Sequence, residues 1–398
     1  MPLPPLAITA YTVVNCLGRG KQALLDALLA RRSGLGPCMF DLARLDAYAG
    51  QIPDGDLLPL THELAEFDCR NHRIAELALR QDGFEQAATS AAALHGSDRV
   101  AVVLGTSTSG ILQTELAYRG RDPLSGVLPP SFCYATTHNS YALAAFVRRR
   151  LDLNGPSLVV STACSSSAKV FGTAARMIAA GWCDAAVVGG ADSLCLTTLH
   201  GFNSLQLLSP GPCRPFDEAR DGISIGEGAG FALLQRAEAA VPDSLALLGV
   251  GESSDAYHMS SPHPEGLGAK LAMERALRSA GLRAAQIDYV NLHGTGTRSN
   301  DASEGKAVHR VFGARTPASS IKGALGHTLG ACGIQEAAAC LLALENDFIP
   351  GSANTQTVDP EFNIDYAVET RTRRVARAMS NSFGFGGSNC ALVFGRLP

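Results

Sequence analysis

Charge is scarce in this chain. Across 398 residues Asp, Glu, Lys and Arg supply 18%, against 46% apolar residues. That balance leaves room for a large buried core, in one big domain or two of ordinary size. The formal net charge is −4, so there is no positive excess to neutralise a phosphate backbone, and a general nucleic-acid binder is not expected. Long hydrophobic runs are missing too: none reaches the roughly 18 residues of a membrane span. Nor does Met1-Pro2-Leu3-Pro4-Pro5-Leu6 carry the basic segment and apolar stretch of a secretory signal. The 11 cysteines include no Cys-x-x-Cys pair, which removes zinc-type spacing, and no metal site is expected. Cys183, Cys195, Cys340 and Cys390 lie in apolar runs and read as small buried hydrophobes. A reducing, cytoplasmic setting suits these absences.

Glycine, by contrast, is plentiful at 41 residues, and much of it ends apolar runs. Those runs read as strands at 6–14, 100–104, 157–161, 185–188, 230–234, 245–250, 289–292, 318–321, 378–382 and 390–394. Helical patterns lie between them at 21–31, 75–93, 168–180, 270–280, 302–311 and 333–344. Strand alternating with helix predicts α/β layers. Segments 157–180 and 318–344 each pass from a strand through a Gly- or Ser-rich turn into an Ala-rich helix, a hint of two similar halves. Pro242-Asp243-Ser244 is the candidate boundary, giving halves of 1–242 and 243–398. Two basic runs, Arg148-Arg149-Arg150 and Arg371-Thr372-Arg373-Arg374, are either solvated element ends or a landing patch for an acidic partner.

Four segments carry candidate chemistry. Cys164 stands where the apolar run of Val159 and Val160 gives way to Ser165-Ser166-Ser167 and a helical pattern. A thiol at the positive end of a helix is expected to have a lowered pKa and to act as a nucleophile; the alternative is a buried core cysteine. His293 opens the loop His293-Gly294-Thr295-Gly296-Thr297 at the exit of a strand, the end at which α/β sheets place ligands. His327 follows another strand, among Gly323, Gly326 and Gly330, with Lys322 before it and Glu336 on the next helix. A Lys–Glu pair flanking an imidazole helps to hold it neutral, so that its N–H donates. Finally, Asn381-Ser382-Phe383-Gly384-Phe385-Gly386-Gly387-Ser388-Asn389 separates two strands; its glycines free backbone N–H groups, and its phenylalanines can cover a pocket. One cysteine with two loop histidines suggests covalent acyl chemistry.

As an ordered set, Thr162-Ala163-Cys164-Ser165-Ser166, the His293 loop, Ser320-Ile321-Lys322 with Gly326-His327-Thr328-Leu329-Gly330-Ala331, and the 381–389 loop resemble the condensing β-ketoacyl-acyl-carrier-protein synthases of fatty acid and polyketide assembly. Segments 8–17 and 105–110, with Arg214-Pro215-Phe216-Asp217 and Glu227-Gly228-Ala229-Gly230, extend the likeness over nearly the whole chain. The resemblance implies a thiolase-like fold, two similar halves stacked as five α/β/α/β/α layers. It implies a dimer, of identical chains or with a related ketosynthase-like subunit. An acyl chain would be held on Cys164, with the N–H groups of Cys164 and Phe385 as oxyanion hole and Phe385 as gate. His293 and His327 would donate to the thioester oxygen of a malonyl group, whose loss of CO₂ generates the attacking carbon. Lys322 would assist, supported by Glu336 and Asp301, while Thr108, Phe202 and Phe383 would shape the acyl pocket. Acyl carrier protein would be the partner, its phosphopantetheine carrying the substrates, with no metal or redox cofactor.

The sequence departs from the family pattern in three places. Arg298 stands where proline usually follows the His293 loop, at what would be the pocket mouth. Ile8-Thr9-Ala10-Tyr11 replaces a glycine-containing segment, and Thr108 a larger apolar residue. These differences point to a specialised polyene or polyketide-like pathway. A non-catalytic chain-length subunit would lack the nucleophile, and a decarboxylating starter enzyme would carry another residue at 164. A thiolase would use a second cysteine as base. An active subunit paired with an inactive relative stays open.

Overall fold

The computed structural model describes residues 4–40 and 43–397. Its frame is a 12-stranded sheet built on β1 (Leu6–Asn15), β2 (Val100–Gly105), β3 (Ser157–Val160), β4 (Ala185–Asp192), β5 (Gly228–Arg236), β6 (Leu245–Ser254), β7 (Tyr289–Asn291), β8 (Pro317–Ser319), β9 (Ala378–Gly384) and β10 (Ser388–Arg396). Every expected strand occurs, with ends moved by a few residues. The order across the sheet is β3-β2-β4-β5-β1, then β6-β10-β9-β7-β8 and a short edge strand, Asp365–Tyr366. Counted within its own half and read toward the seam between β1 and β6, each run of five is ordered third, second, fourth, fifth, first. Pairing repeats as well. β2 is parallel to β3 and β4, and β5 antiparallel to both neighbours; β7 is parallel to β8 and β9, and β10 antiparallel to both neighbours. The halves join at Leu6↔Leu247 and Ala7↔Ala246, a short seam that lets the two half-sheets stack.

The helices are α1 (Gly20–Leu29), α2 (Arg70–Leu79), α3 (Phe84–His95), α4 (Ile111–Arg119), α5 (Ala142–Arg150), α6 (Ser166–Ala179), α7 (Leu196–Ser204), α8 (Leu267–Ala280), α9 (Arg298–Phe312), α10 (Lys322–Leu325) and α11 (Cys332–Asn346). α6 and α11 touch each other and strands of both halves. They form the middle of five α/β/α/β/α layers, with α2, α3 and α5 outside the first half-sheet and α8 and α9 outside the second. α11 is buried along nearly its whole length, as an apolar helix between two sheets must be. Where the central helices meet, a Cβ on Gly333 would lie 2.5 Å from the backbone N of Ala168. Glycine there brings the starts of α6 and α11 together, and with them Cys164 and the His327 turn.

Two expectations change. The helical pattern at 75–93 is two helices, α2 and α3, because Asp82 (φ 54°) and Gly83 (φ 69°) turn left-handed between them. Asp82 accepts bonds from the Thr12 hydroxyl at 2.8 Å and the Lys21 N–H at 3.0 Å, which ties the break to β1 and α1. The arginine run at 148–150 is not an open basic patch. Arg150 pairs with Glu76 at 2.9 Å and Glu85 at 2.8 Å, Arg149 lies 3.5 Å from Glu66, and Arg148 donates to the Leu153 carbonyl. Among the described residues no helix is long and apolar enough to cross a membrane.

Candidate active site

Cys164 sits at the turn between β3 and α6. Ala163 adopts φ 51°, and the Ser166 hydroxyl donates to its carbonyl at 2.5 Å. The turn directs the Cys164 side chain, which is buried, toward His327: Nε2 lies 3.0 Å from Sγ. The Leu329 N–H donates to His327 Nδ1 at 3.1 Å. That bond makes Nδ1 an acceptor, so the His327 proton resides on Nε2 and donates to the sulfur.

His293 is fixed in the same sense from the other side. Lys322 Nζ donates to His293 Nδ1 at 3.2 Å, which leaves the proton on Nε2. The same ammonium donates to the His293 carbonyl and pairs with Glu336. Glu336 also accepts from the Ser382 hydroxyl at 2.9 Å. The two imidazoles are perpendicular, 86° apart, with centroids separated by 5.2 Å. Burial, followed by the nearby Lys322 charge, pushes both well below the usual imidazole range, so both are neutral. Burial pulls Lys322 down too, but Glu336, with Cys332 and Glu304, more than offsets it and keeps the ammonium charged.

The thiol does not behave as its helix position suggests. Burial pushes Cys164 up to about 11, against the opposing pull of Lys322 and of the Phe385 and Cys164 N–H groups. Desolvation of a thiolate outweighs the helix terminus here. Those two N–H groups are the ones expected to form an oxyanion hole, and they lie at the sulfur.

Cys164, His293 and His327 line a pocket that opens to solvent, together with Phe202, Ile223, Phe383 and Phe385. Phe202 and Phe385 pack with centroids 5.5 Å apart. The outer lining is polar, with Ser260, Ser261, Thr295, Thr297 and Asn300. Thr108 is not part of the lining. Its hydroxyl donates to Asp192 at 2.8 Å, deep in the first half. Asp301 is buried on α9 but does not bond His293; it accepts from the Phe216 N–H at 2.8 Å and the Gly296 N–H at 3.3 Å, bracing the loop. Arg298 is exposed in the first turn of α9, next to the rim residues Thr297 and Ser299.

Three residues escaped the sequence reading. Glu304 accepts the backbone N–H groups of His293 at 2.8 Å and Gly294 at 2.7 Å, one turn along α9 from Asp301. Cys332 donates its S–H to the Cys164 carbonyl at 3.0 Å. Asp192 ends β4 beneath both turns. Glu304 and Cys332 lie close in sequence to motif residues, and no local signal marked Asp192. Cys164, His293 and His327 also place ligand-type atoms within 4.8 Å of one another. Yet both imidazoles present N–H at Nε2, not a lone pair, so this donor set does not fit a metal ion.

A buried thiol at a helix start and two imidazole N–H donors, on a fold whose halves repeat one strand order, define a thiolase-like condensing enzyme. The chain belongs to the β-ketoacyl synthase family: residues 4–240 match the beta-ketoacyl synthase N-terminal domain and residues 245–356 its C-terminal domain. It is 32% identical to 3-oxoacyl-[acyl-carrier-protein] synthase 2 of Vibrio cholerae, covering 98% of this chain and 99% of that one. A putative polyketide beta-ketoacyl synthase 1 of Streptomyces cyaneus is 35% identical, over 98% and 97%. Among solved structures, a chain of the complex of the ketosynthase ApeO with its chain length factor ApeC from Xenorhabdus doucetiae superposes with a TM-score of 0.89 at 37% identity, over 99% and 98%.

Proposed function

We propose that the chain is a ketosynthase that holds an acyl chain as a thioester on Cys164 and lengthens it by two carbons from a malonyl group on acyl carrier protein. The observation that carries this is the convergence of two fixed Nε2–H donors in front of Cys164 Sγ.

In the first step Sγ attacks the acyl thioester, the Cys164 and Phe385 N–H groups receive the oxyanion, and the carrier departs as a free thiol with the cysteine's proton. Donors placed where charge develops lower the barrier because they need no reorganisation at that moment. In the second step His293 and His327 hold the malonyl thioester oxygen. The carboxylate leaves as CO₂, the electron pair of the broken bond forms an enolate, and its carbon attacks the Cys164 thioester. A β-ketoacyl thioester leaves on the carrier, and Cys164 regains a proton. Phe202, Ile223 and Phe383 are placed to receive the acyl chain, and Phe385, packed on Phe202, is placed to gate it. These steps require no metal or redox group, and we assign the enzyme to the cytoplasm.

We assign it to specialised assembly of the polyene or polyketide kind, acting beside a related chain-length-type subunit. This is supported by the named relatives of both kinds, including a chain of the ishigamide ketosynthase/chain length factor, 27% identical with a TM-score of 0.87 over 99% of this chain. An open sheet edge is consistent with a partner chain: β3 is an edge strand with half-buried Leu158, Val159 and Val160, and Leu124, Val127 and Tyr134 stand exposed in the preceding segment. Unpaired edges of this kind seek a partner strand.

Intact-mass measurement after mixing with acyl-carrier thioesters tests the assignment. Wild type should gain the acyl mass on Cys164, and Cys164→Ala should gain nothing and make no β-ketoacyl product. Elongation by Cys164→Ala would overturn it. Size exclusion with a co-expressed ketosynthase-like neighbour tests the partner; elution only as a homodimer would reject the heterodimer.

A further inference from the structure

Asp192 is fully buried at the end of β4. Five neutral donors converge on its carboxylate. Oδ1 accepts from the Thr106 hydroxyl at 2.6 Å, the Ser107 N–H at 2.9 Å, and the Thr108 N–H and hydroxyl, both at 2.8 Å. Oδ2 accepts from the Gly330 N–H at 2.5 Å. The Ser107 hydroxyl in turn donates to the Ala163 carbonyl at 3.2 Å. One carboxylate thus ties together the loop after β2, the turn before Cys164 and the turn after His327.

Each of those three segments holds a non-glycine residue in the left-handed region: Ser109 at φ 45°, Ala163 at 51° and Leu329 at 52°. L-residues adopt that region at a cost in free energy, and it persists where the surroundings over-determine it. Leu329 matters most, since its N–H fixes the His327 tautomer. The packing leaves no slack beside it. A Cβ on Gly330 would lie 2.6 Å from Ser107 Oγ and 2.7 Å from Asp192 Oδ2.

We propose that Asp192 is a positioning residue for the condensation, holding the Cys164 turn and the His327 turn in register through the Thr106–Thr108 loop and Gly330. The proposal rests on Cys164 and His327 being the groups that act on substrate. Asp192 does not line the cavity, so it influences the reaction through these two alone.

Asp192→Asn keeps the shape but turns one acceptor oxygen into an NH₂ group that must face N–H or O–H donors. The turns it holds should then shift. A misplacement of about 1 Å costs on the order of 100-fold in rate, so kcat should fall by about 10- to 100-fold. KM for the carrier thioester should stay within about twofold, because the rim that meets the carrier is untouched. A general loss of stability would not give this split in the folded fraction, which is checked by a cooperative thermal melt and unchanged elution. Where Asp192→Asn does not fold, Thr106→Val takes its place. It removes one donor to Asp192 and the acceptor for the Ser109 N–H. A folded variant with wild-type kcat, or one altered in KM alone, overturns the proposal. Cys164→Ala assayed alongside separates the two levels. Acyl transfer surviving there refutes the nucleophile itself, whereas its loss beside a normal Asp192→Asn refutes only the role of Asp192.

Discussion

The pH dependence of Cys164 alkylation tests the electrostatics of the site most directly. Burial pushes the thiol up to about 11. Below that value the thiolate fraction changes about tenfold per pH unit, so at pH 8 roughly one thiol in a thousand is ionised. Alkylation by iodoacetamide should therefore rise about 100-fold between pH 7 and pH 9 without reaching a plateau. The assay needs a Cys133→Ser background, because Cys133 is exposed and its pKa is lowered, first by the Thr136 hydroxyl and then by the Thr136 N–H. It would react ahead of Cys164. The other cysteines, Cys16 excepted, are buried. Mass spectrometry of the intact protein then counts one adduct, assigned to Cys164 by its absence in Cys164→Ala. A second perturbation checks the cause. Lys322 is the strongest influence holding the thiol down, so Lys322→Met should slow alkylation throughout the same range. A rate that levels off by pH 8, as for a thiol activated by its helix, would refute the claim that desolvation wins. Faster alkylation in Lys322→Met would refute the assigned role of the ammonium.

His327→Ala removes one of the two donors proposed for the malonyl oxygen, and release of labelled CO₂ should fall by about 100- to 1,000-fold. Acylation of Cys164 should remain measurable, and normal condensation would reject the donor role. Glu304 bears on stability: burial raises its carboxyl to about 7 from an ordinary 4.5. The folded state therefore favours the protonated form, so this group's contribution is full below about pH 4.5 and is lost as pH rises through about 7. Urea midpoints at pH 5 and pH 8 should show that loss in wild type and not in Glu304→Gln; equal slopes would remove Glu304 as its source.

What the sequence made legible divides by distance along the chain. Strands were readable because each is a short apolar run that ends in small residues, and Cys164, His293 and His327 because each lies at the exit of such a run. The Lys322–Glu336 pair was readable from one turn and one helix. The break between α2 and α3 was not, since periodicity continues across Asp82 and Gly83 while the chain turns to meet Thr12 and Lys21. The bond of Thr108 was not legible for a related reason: its partner, Asp192, lies 84 residues away. The thiol's pKa was misjudged because a helix start is visible in sequence and the burial of that start is not. Glu304 and Cys332 bind backbone atoms of other segments, and such bonds leave no mark on local pattern.

The distribution of protons in the cavity also limits which extender the enzyme can use. His293 and His327 both present N–H at Nε2, held there by Lys322 and by the Leu329 amide. Cys164 is a thiol when unacylated. Cys332 lies nearby with its S–H on the Cys164 carbonyl, and burial raises it well beyond the ordinary thiol range. Asp255, also in the lining, has its oxygens engaged by the Asn389 amide at 2.7 Å and the His263 N–H at 2.9 Å. None of these is a free base poised to remove a proton from carbon. A thioester bearing only a methyl group would need such a base to become a nucleophile. A malonyl thioester does not, because breaking its C–C bond supplies the electron pair and the two imidazoles need only receive the negative oxygen. A wall of donors is suited to that reaction and unsuited to the reverse direction of a thiolase, whose chemistry needs a second group able to accept a proton. Acetyl-carrier thioester offered as extender should thus give no product, even at concentrations that saturate the enzyme with malonyl-carrier. Condensation from it would require a base within the cavity that these hydrogen bonds do not allow.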